Sequence, residues 1–198
     1  EKKGCVSCHH TAFLIWSHRE AAQAGFKIDG KKLEEWTAWA FAEQLEEHEK
    51  GGTIGERNIE GLAQLILGQQ DAKHSDEQRG MLERFAKLMI SKQEKDGAWK
   101  AGGQLPSQKR PKPETEEVST MWACLALNEL GDLADEVGES RVRAAKMMAQ
   151  SELKASSTEW HVLRLLMAKS IAKREVPRWI DALLARQNKD GGWSWVGD

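Results

Sequence analysis

The sequence predicts an all-α protein built from antiparallel αα-hairpins. Apolar residues recur at helical spacing in nearly every segment, and no alternating strand pattern longer than a few residues competes with them. Predicted helices of about 12–20 residues alternate with short turns, which favours antiparallel packing of sequential neighbours. A seven-residue segment also returns at a distance that fits two hairpins, and such repetition is typical of a stacked helical array.

Glycines and capping residues bound the first four predicted helices. In chain order these helices run from about His10 to Ala24, from Asp29 to the Gly51–Gly52 pair, from Ile59 to Ile66, and from the Ser75–Gln78 capping box to Met89.

A polar connection from Asp96 to Glu114, rich in Gly and Pro, separates these helices from four more. The last three of these are opened by serine caps or by a first-turn proline. In chain order they run from Val118 to Gly131, from a Ser140 cap to Met148, from a Ser156 or Ser157 cap through Met167, and from Pro177 to Leu184. The eight helices make four αα-hairpins.

The composition indicates one ordinary globular domain spanning residues 1–198. Forty per cent of the residues are hydrophobic, 30% are charged, and the formal net charge is −2. This balance gives no electrostatic reason to expect nucleic acid or an acidic membrane surface as a partner. No apolar run approaches the ~20 residues of a membrane span, and no signal peptide is present.

The strongest motif is Cys5-Val6-Ser7-Cys8-His9, the attachment signature of c-type haem. Both thiols can add to vinyl groups on one porphyrin edge, and His9 then offers its imidazole as proximal iron ligand. The motif is expected at the N-terminus of the first helix. It predicts one haem c per chain and a periplasmic or other extracytoplasmic location, with the start of the chain read as a processed or trimmed end.

Two other chemistries fit a Cys-x-x-Cys pair less well. A redox dithiol is typical of a β-α-β unit, and no such unit is predicted nearby. A zinc site needs a second ligand pair, and the remaining cysteine, Cys124, stands alone in an apolar run. A chance match of five residues is the third alternative.

The sixth iron position has three candidate occupants: His161, Met121, and water or an open site. His161 is favoured over Met121 because it lies near the start of its predicted helix. Arg110 is predicted to pair with a haem propionate, with a solvated loop residue as the alternative. The other histidines, His10, His18, His48 and His74, are predicted to be surface, capping or supporting groups.

The repeated segment indicates a family. Gln93-Glu94-Lys95-Asp96-Gly97-Ala98-Trp99 returns 94 residues later as Gln187-Asn188-Lys189-Asp190-Gly191-Gly192-Trp193. Both copies resemble the "QW" motifs of squalene–hopene cyclases and the related prenyltransferase toroids. The resemblance implies an α/α toroid in which Gln and Trp tie the end of an outer helix to the start of the next inner helix. It divides the chain into a haem-attachment hairpin (1–54) and QW-type repeats (55–198).

The resemblance does not extend to cyclase chemistry. No Asp-x-Asp-Asp triad is present, and acids such as Glu114 and Glu117 are expected to be solvated with ordinary pKa values. A full toroid needs about six hairpins, so the four predicted here are expected to form part or all of an α/α toroid, which missing sequence or a second chain would complete. Trp16, Trp122 and Trp160 on the implied inner helices are predicted as core residues, or alternatively as an aromatic wall around haem.

A haem motif followed by such repeats is similar to uncharacterised secreted bacterial proteins labelled cyclase-like. The predicted function is extracytoplasmic electron transfer to a redox partner protein, because no distal acid–base pair is identifiable. The alternatives are a haem sensor or haem enzyme with open iron, and a helical interaction module stapled by haem. Terpenoid cyclisation is not expected.

Overall fold

A computed structural model describes residues 8–49, 51–70, 72–102, 110–131 and 136–196, with residues 8 and 9 described by their backbone. Over these residues the chain is all-α, as predicted, with no strand. The helices are α1 (Cys8–Gln23), α2 (Gly30–Leu45), α3 (Ile54–Arg57), α4 (Ile59–Leu67), α5 (Asp76–Ser91), α6 (Lys112–Leu130), α7 (Val137–Ala149), α8 (Thr158–Ile171) and α9 (Val176–Leu184). A 3-10 turn (Lys173–Glu175) precedes α9. In this part of the chain, no helix combines the length and apolarity that a membrane crossing needs.

Helix α4 is the most deeply buried element. Its sequence is apolar on all sides apart from Glu60 and Gln64, and such a helix must be surrounded by others. Every one of its residues is buried. Helices α1 and α6 both pack against α4, and α8 packs against α6. These four helices therefore contact one another in the order α1, α4, α6, α8.

The other long helices pack on the outside of this row. Helix α2 packs against α1, α7 against α6, and α9 against α8, while α5 contacts both α4 and α6. The rings of Phe41 in α2 and Phe85 in α5 meet edge to face at 5.1 Å between centroids. The α8 end of this row is covered less well, because Trp179 is the single buried residue within α9.

Several helix ends lie where local chemistry predicts them. The Asp29 side chain accepts from the backbone N–H of Lys32 at 3.1 Å, and Ser75 with Gln78 forms the expected capping box. Of the two candidate caps for α8, Ser157 is the one used, because its Oγ accepts from Trp160 N at 3.3 Å. Pro177 lies in the first turn of α9.

Several helix limits differ from the prediction. Helix α2 ends at Leu45, before the predicted stop at the Gly51–Gly52 pair. Helix α7 begins at Val137, so Ser140 lies inside the helix and its hydroxyl donates to Gln93 Oε1 at 2.8 Å instead of capping. Helix α6 begins at Lys112, inside the predicted connection, because Pro113 suits a first helical turn. The short helix α3, opened by a capping box at Thr53, was not predicted.

The first Gln–Trp turn (residues 93–99) is closed by internal hydrogen bonds and buried at Gly97, Ala98 and Trp99. Gln93 Nε2 donates to Gly97 O at 3.0 Å, and Trp99 Nε1 donates to Met89 O at 2.8 Å, which satisfies a carbonyl in the last turn of α5. The backbone N–H of Trp99 donates to Thr120 Oγ1 on α6 at 3.0 Å. The Trp99 side chain is fully buried.

Gln93 binds a different helix from the one that the family resemblance implies. Its Nε2 donates to Ser140 O at 3.0 Å, and its Oε1 accepts from the Arg143 side chain as well as from Ser140. Both partners lie on α7, the neighbouring outer helix, and neither is a backbone N–H at the start of α6. The glutamine therefore joins α5 to α7, while Trp99 makes the contact with α6.

The second Gln–Trp turn (residues 187–193) repeats the internal bonds of the first. Gln187 Nε2 donates to Gly191 O at 2.7 Å, and Trp193 Nε1 donates to Leu183 O at 2.7 Å. Beyond the turn, the backbone N–H of Thr158 donates to Trp195 O at 2.8 Å. Trp193 is 44% exposed, in contrast to Trp99.

A third turn with the same backbone bonds precedes α3 at residues 47–53. His48 N donates to Gly52 O at 2.7 Å and Gly51 N donates to His48 O at 2.8 Å. The corresponding bonds in the first Gln–Trp turn are Glu94 N to Ala98 O and Gly97 N to Glu94 O. Glu47 and Thr53 occupy the positions of the glutamine and tryptophan, which explains why sequence comparison missed this copy.

Candidate functional site

The haem motif lies where α1 begins. Cys8 and His9 are the first two residues of α1. Cys5 lies outside the described residues. The attachment of haem itself stays a prediction.

An exposed apolar strip follows the motif on α1. Phe13 is 42% exposed and Leu14 is 40% exposed, although both lie in a helix whose opposite face carries the buried Ala12 and Ile15. Together with His10, Trp16 and Ser17 they line a shallow, mostly apolar depression.

Aromatic contacts connect this strip with the centre of the molecule. The Phe13 ring stacks on Trp16 at 6.1 Å and meets Trp122 of α6 edge to face at 6.4 Å. Trp122 is nearly fully buried, and its Nε1 donates to Glu159 Oε1 of α8 at 2.9 Å. Trp160 of α8 is buried as well. Trp122 and Trp160 are therefore core residues.

Arg110 is a buried side chain rather than a solvated loop residue. Its Nη1 donates to Glu159 Oε2 at 2.9 Å, and its guanidinium lies 5.5 Å from the ring centroid of Trp195. Glu159 therefore accepts from both Arg110 and Trp122. The predicted pairing of Arg110 with a haem propionate stays a prediction, and the propionate would have to share the guanidinium with Glu159.

His161 faces a different part of the molecule from the aromatic contact with α1. Its Nδ1 donates to Ser157 O at 2.9 Å, which leaves Nε2 as the lone-pair nitrogen of a neutral ring. The ring contacts Trp160 and Trp179, and burial lowers its pKa. Glu159 lies two residues earlier, about 200° away round the helix. Among the described residues, the hydrogen bond and ring contacts of His161 are with Ser157, Trp160 and Trp179, and its role as sixth iron ligand stays a prediction.

Glu60 is a buried carboxyl group that the sequence reasoning missed. Its Oε1 accepts from Gly102 N at 3.1 Å and from the Ser119 hydroxyl, while its buried Oε2 has no hydrogen-bond partner. Burial raises the pKa of Glu60, and the bond from Ser119 opposes this only in part. A charged residue inside the otherwise apolar α4 was the signal that could have revealed it.

Glu114 and Glu117 on α6 are buried, which corrects the expectation that they are solvated. Glu114 accepts from the backbone N–H groups of Ser156 and Ser157 at 2.9 Å each, at the start of α8. Burial pushes the pKa of Glu114 up, but the hydrogen bonds from Ser157 and Ser156 outweigh it and the pKa is lowered. Glu117 accepts from Trp160 Nε1 at 2.7 Å. These carboxylates join α6 to α8.

The remaining cysteine, Cys124, lies within α6 and is 3% exposed. Burial raises the pKa of its thiol to about 11, so the thiol is protonated at neutral pH. Across the described residues no cluster of His, Cys, Asp and Glu side chains is arranged to hold a metal ion.

Comparison with protein-family models, with curated proteins and with solved structures finds no match to this chain. The inferences below therefore rest on the residues and contacts of the chain itself.

Proposed function

We propose that this protein carries one haem c, attached through Cys5 and Cys8 with His9 as proximal ligand, and transfers electrons to a partner protein outside the cytoplasm. The attachment motif is the sequence basis. The observation that carries the proposal further is the exposed apolar strip of Phe13 and Leu14, which follows the motif within about one turn of α1. The bound haem would supply a one-electron iron centre.

The residues present fit a porphyrin. Fully burying a large apolar side chain contributes about 1.5–3 kcal/mol, so leaving Phe13 and Leu14 exposed forgoes stability unless something covers them. A flat macrocycle tied to Cys8 at the start of the same helix is suited to that role. Phe13 would lie between the haem and Trp122, and the buried indole would keep water from that side of the site.

We further propose that the helices form part of an α/α toroid. Support comes from the successive packing of α1, α4, α6 and α8, from α2, α7 and α9, each of which packs outside one of them, and from three turns with one hydrogen-bond pattern after α2, α5 and α9. The haem motif would then lie at the start of the first inner helix.

Terpenoid cyclisation is still not expected, although Glu114 and Glu117 are buried rather than solvated. Protonating an alkene requires an unusually strong acid, and the raised pKa makes Glu60 a weaker acid than an ordinary carboxyl group. Glu114 is held as an anion by its hydrogen bonds and has no proton to give at neutral pH. Squalene incubated with the protein should remain unchanged.

Production with a c-type maturation system tests haem attachment. Mass spectrometry should show one added haem per chain, and Cys5→Ala or Cys8→Ala should impair attachment while Cys124→Ala leaves it unchanged. Phe13→Asp should reduce haem incorporation, whereas Phe26→Asp should not, because Phe26 is 70% exposed outside the strip. Bound zinc without haem would contradict the proposal.

The optical spectrum tests electron transfer. A six-coordinate, low-spin iron that does not respond to carbon monoxide supports it, and conversion to high spin in His161→Ala would identify the sixth ligand. A high-spin iron that binds carbon monoxide in the unmodified protein would instead favour ligand sensing or catalysis at an open site.

A further inference from the structure

A cavity of about 300 Å³ lies between the C-terminal end of α7, helix α8, the 3-10 turn and α9. Its walls are largely apolar, formed by Met148, Met167, Ile171 and several alanines. Three arginines and one glutamate complete the lining: Arg164, Arg174, Arg178 and Glu175. The size lies at the lower end of the range for small-molecule sites, and a mostly apolar wall with a few charged groups is their usual composition.

Arg164 is a cation that has no carboxylate partner among the described residues. Its guanidinium lies 4.9 Å from the ring centroids of both Trp160 and Trp179, and its Nη1 donates to Met148 O at 2.8 Å. Its Nε is buried without an acceptor, and no described carboxylate lies within ion-pair distance. A desolvated positive charge of this kind favours an anion beside it.

The remaining charges leave the cavity positive. Arg174 and Arg178 share one carboxylate, Glu175, at 3.7 and 3.4 Å. Glu117 is the acid that acts most strongly on Arg164, but its oxygens accept from Trp160 Nε1 and from the Ser151 hydroxyl. Three guanidinium groups therefore face a single carboxylate in the lining.

We propose that this cavity binds an amphipathic anion, with a carboxylate or phosphate head on Arg164 and Arg178 and an alkyl tail against Met148, Met167 and Ile171. The arginine fork recognises either head group by paired hydrogen bonds. The apolar wall accounts for the tail, because burial of alkyl groups adds affinity roughly in proportion to the area removed from water. The site is separate from the haem motif and does not depend on haem.

Calorimetric titration of the full chain with decanoate tests the proposal. Binding should saturate at one decanoate per chain. Decan-1-ol, which lacks the charge, and acetate, which lacks the tail, should each bind at least about tenfold more weakly, a difference of about 1.4 kcal/mol. Decyl phosphate should also bind, and its affinity relative to decanoate identifies the preferred head group. Equal affinity for decan-1-ol or for acetate, or no saturable binding, would overturn the proposal.

Variants locate the site and keep the test independent of folding. Arg178→Gln should weaken decanoate binding about fivefold or more, and its exposed side chain makes loss of folding an unsuitable explanation. Lys169→Gln is the matched control, since this residue is exposed on α8 outside the cavity lining. Ala145→Leu keeps every charge but fills the cavity and should abolish binding. Equal weakening in the Arg178 and Lys169 variants would show nonspecific charge attraction and contradict the site.

Discussion

The two Gln–Trp turns have the same sequence pattern and the same internal bonds but different surroundings. In each, the glutamine Nε2 binds a glycine carbonyl and the indole N–H binds a helix carbonyl, at distances within 0.3 Å of each other. The first turn also holds α7 through Gln93 and α6 through Trp99, whereas Trp193 is 44% exposed. The motif therefore specifies a local turn, and the neighbouring helices decide how much that turn stabilises the fold.

The largest expected difference lies at the tryptophans. Trp99→Ala should lower the free energy of unfolding by about 3–5 kcal/mol, because it removes a fully buried indole and leaves a cavity. Trp193→Ala should cost only about 1 kcal/mol, because the side chain of Trp193 is 44% exposed. Urea denaturation of the two variants measures both values. Equal losses would mean that the second turn is covered as the first one is.

The glycines provide the next contrast. Gly97 and Gly191 have φ values of 97° and 87°, a conformation that costs other residues about 1–2 kcal/mol. A Cβ at Gly97 would also lie 2.6 Å from Arg143 O, whereas at Gly191 its nearest neighbour is Gln187 Nε2 at 4.0 Å. Gly97→Ala should therefore destabilise by about 3 kcal/mol and Gly191→Ala by about half as much. A larger loss for Gly191→Ala would contradict the open surroundings of the second turn.

The glutamines should differ by a smaller amount. Gln93→Ala leaves Ser140 and Arg143 without their acceptor and should cost about 2 kcal/mol. Gln187→Ala removes a bond within an exposed turn and should cost about 0.5 kcal/mol. Combining Gln93→Ala with Arg143→Ala in a double-mutant cycle separates the Gln93–Arg143 contact with α7 from the other bonds of Gln93. Strict additivity would show that the Gln93–Arg143 contact contributes no stability.

The smallest expected effect is a difference in how the stability contributed after each of the two turns depends on pH. The chain after the first turn is held by Glu60 through Gly102 N, while the chain after the second is held by the neutral hydroxyl of Thr158 through Ser194 O. Because burial raises the pKa of Glu60 above its ordinary 4.5, the folded protein binds more protons there than the unfolded chain does. Stability contributed by this group is therefore lost as pH rises above that value.

Glu60→Gln removes this loss. The free energy of unfolding of the variant, taken relative to that of the unmodified protein, should therefore rise from about pH 4 to about pH 7. Thr158→Val should change stability by the same amount at both pH values. Denaturation midpoints at the two pH values measure the effect. A decline of the Glu60→Gln variant relative to the unmodified protein would show that Glu60 is stabilised as an anion.

Sequence reasoning predicted what short-range chemistry determines. The Ser75–Gln78 capping box and the Ser157 cap each depend on residues within one turn, and each is present. Ser140 has the right chemistry for a cap, yet it is used in a contact with Gln93 that is 47 residues away in sequence. No local pattern shows which of the two partners a serine takes.

The candidate site likewise combines features that short-range chemistry determines with features that depend on helix packing. The sequence placed Cys8 and His9 at the start of a helix, because the helical pattern begins directly after them. It could not show that Glu114 and Glu117 are buried, because their burial arises when α8 packs over α6. It also missed the turn at residues 47–53, where the backbone bonds persist although the glutamine and tryptophan are replaced.

The buried thiol of Cys124 can report how often the helices around α6 open. Of the three cysteines, two lie in the motif that we propose attaches haem, and thioether bonds there would consume both thiols. With a pKa of about 11 and almost no exposure, Cys124 does not react with an alkylating reagent while the helices remain packed. In the haem-loaded chain every alkylated molecule has therefore opened around α6 at least once. The labelling rate of one side chain then measures how often the centre of the fold opens, without an added probe.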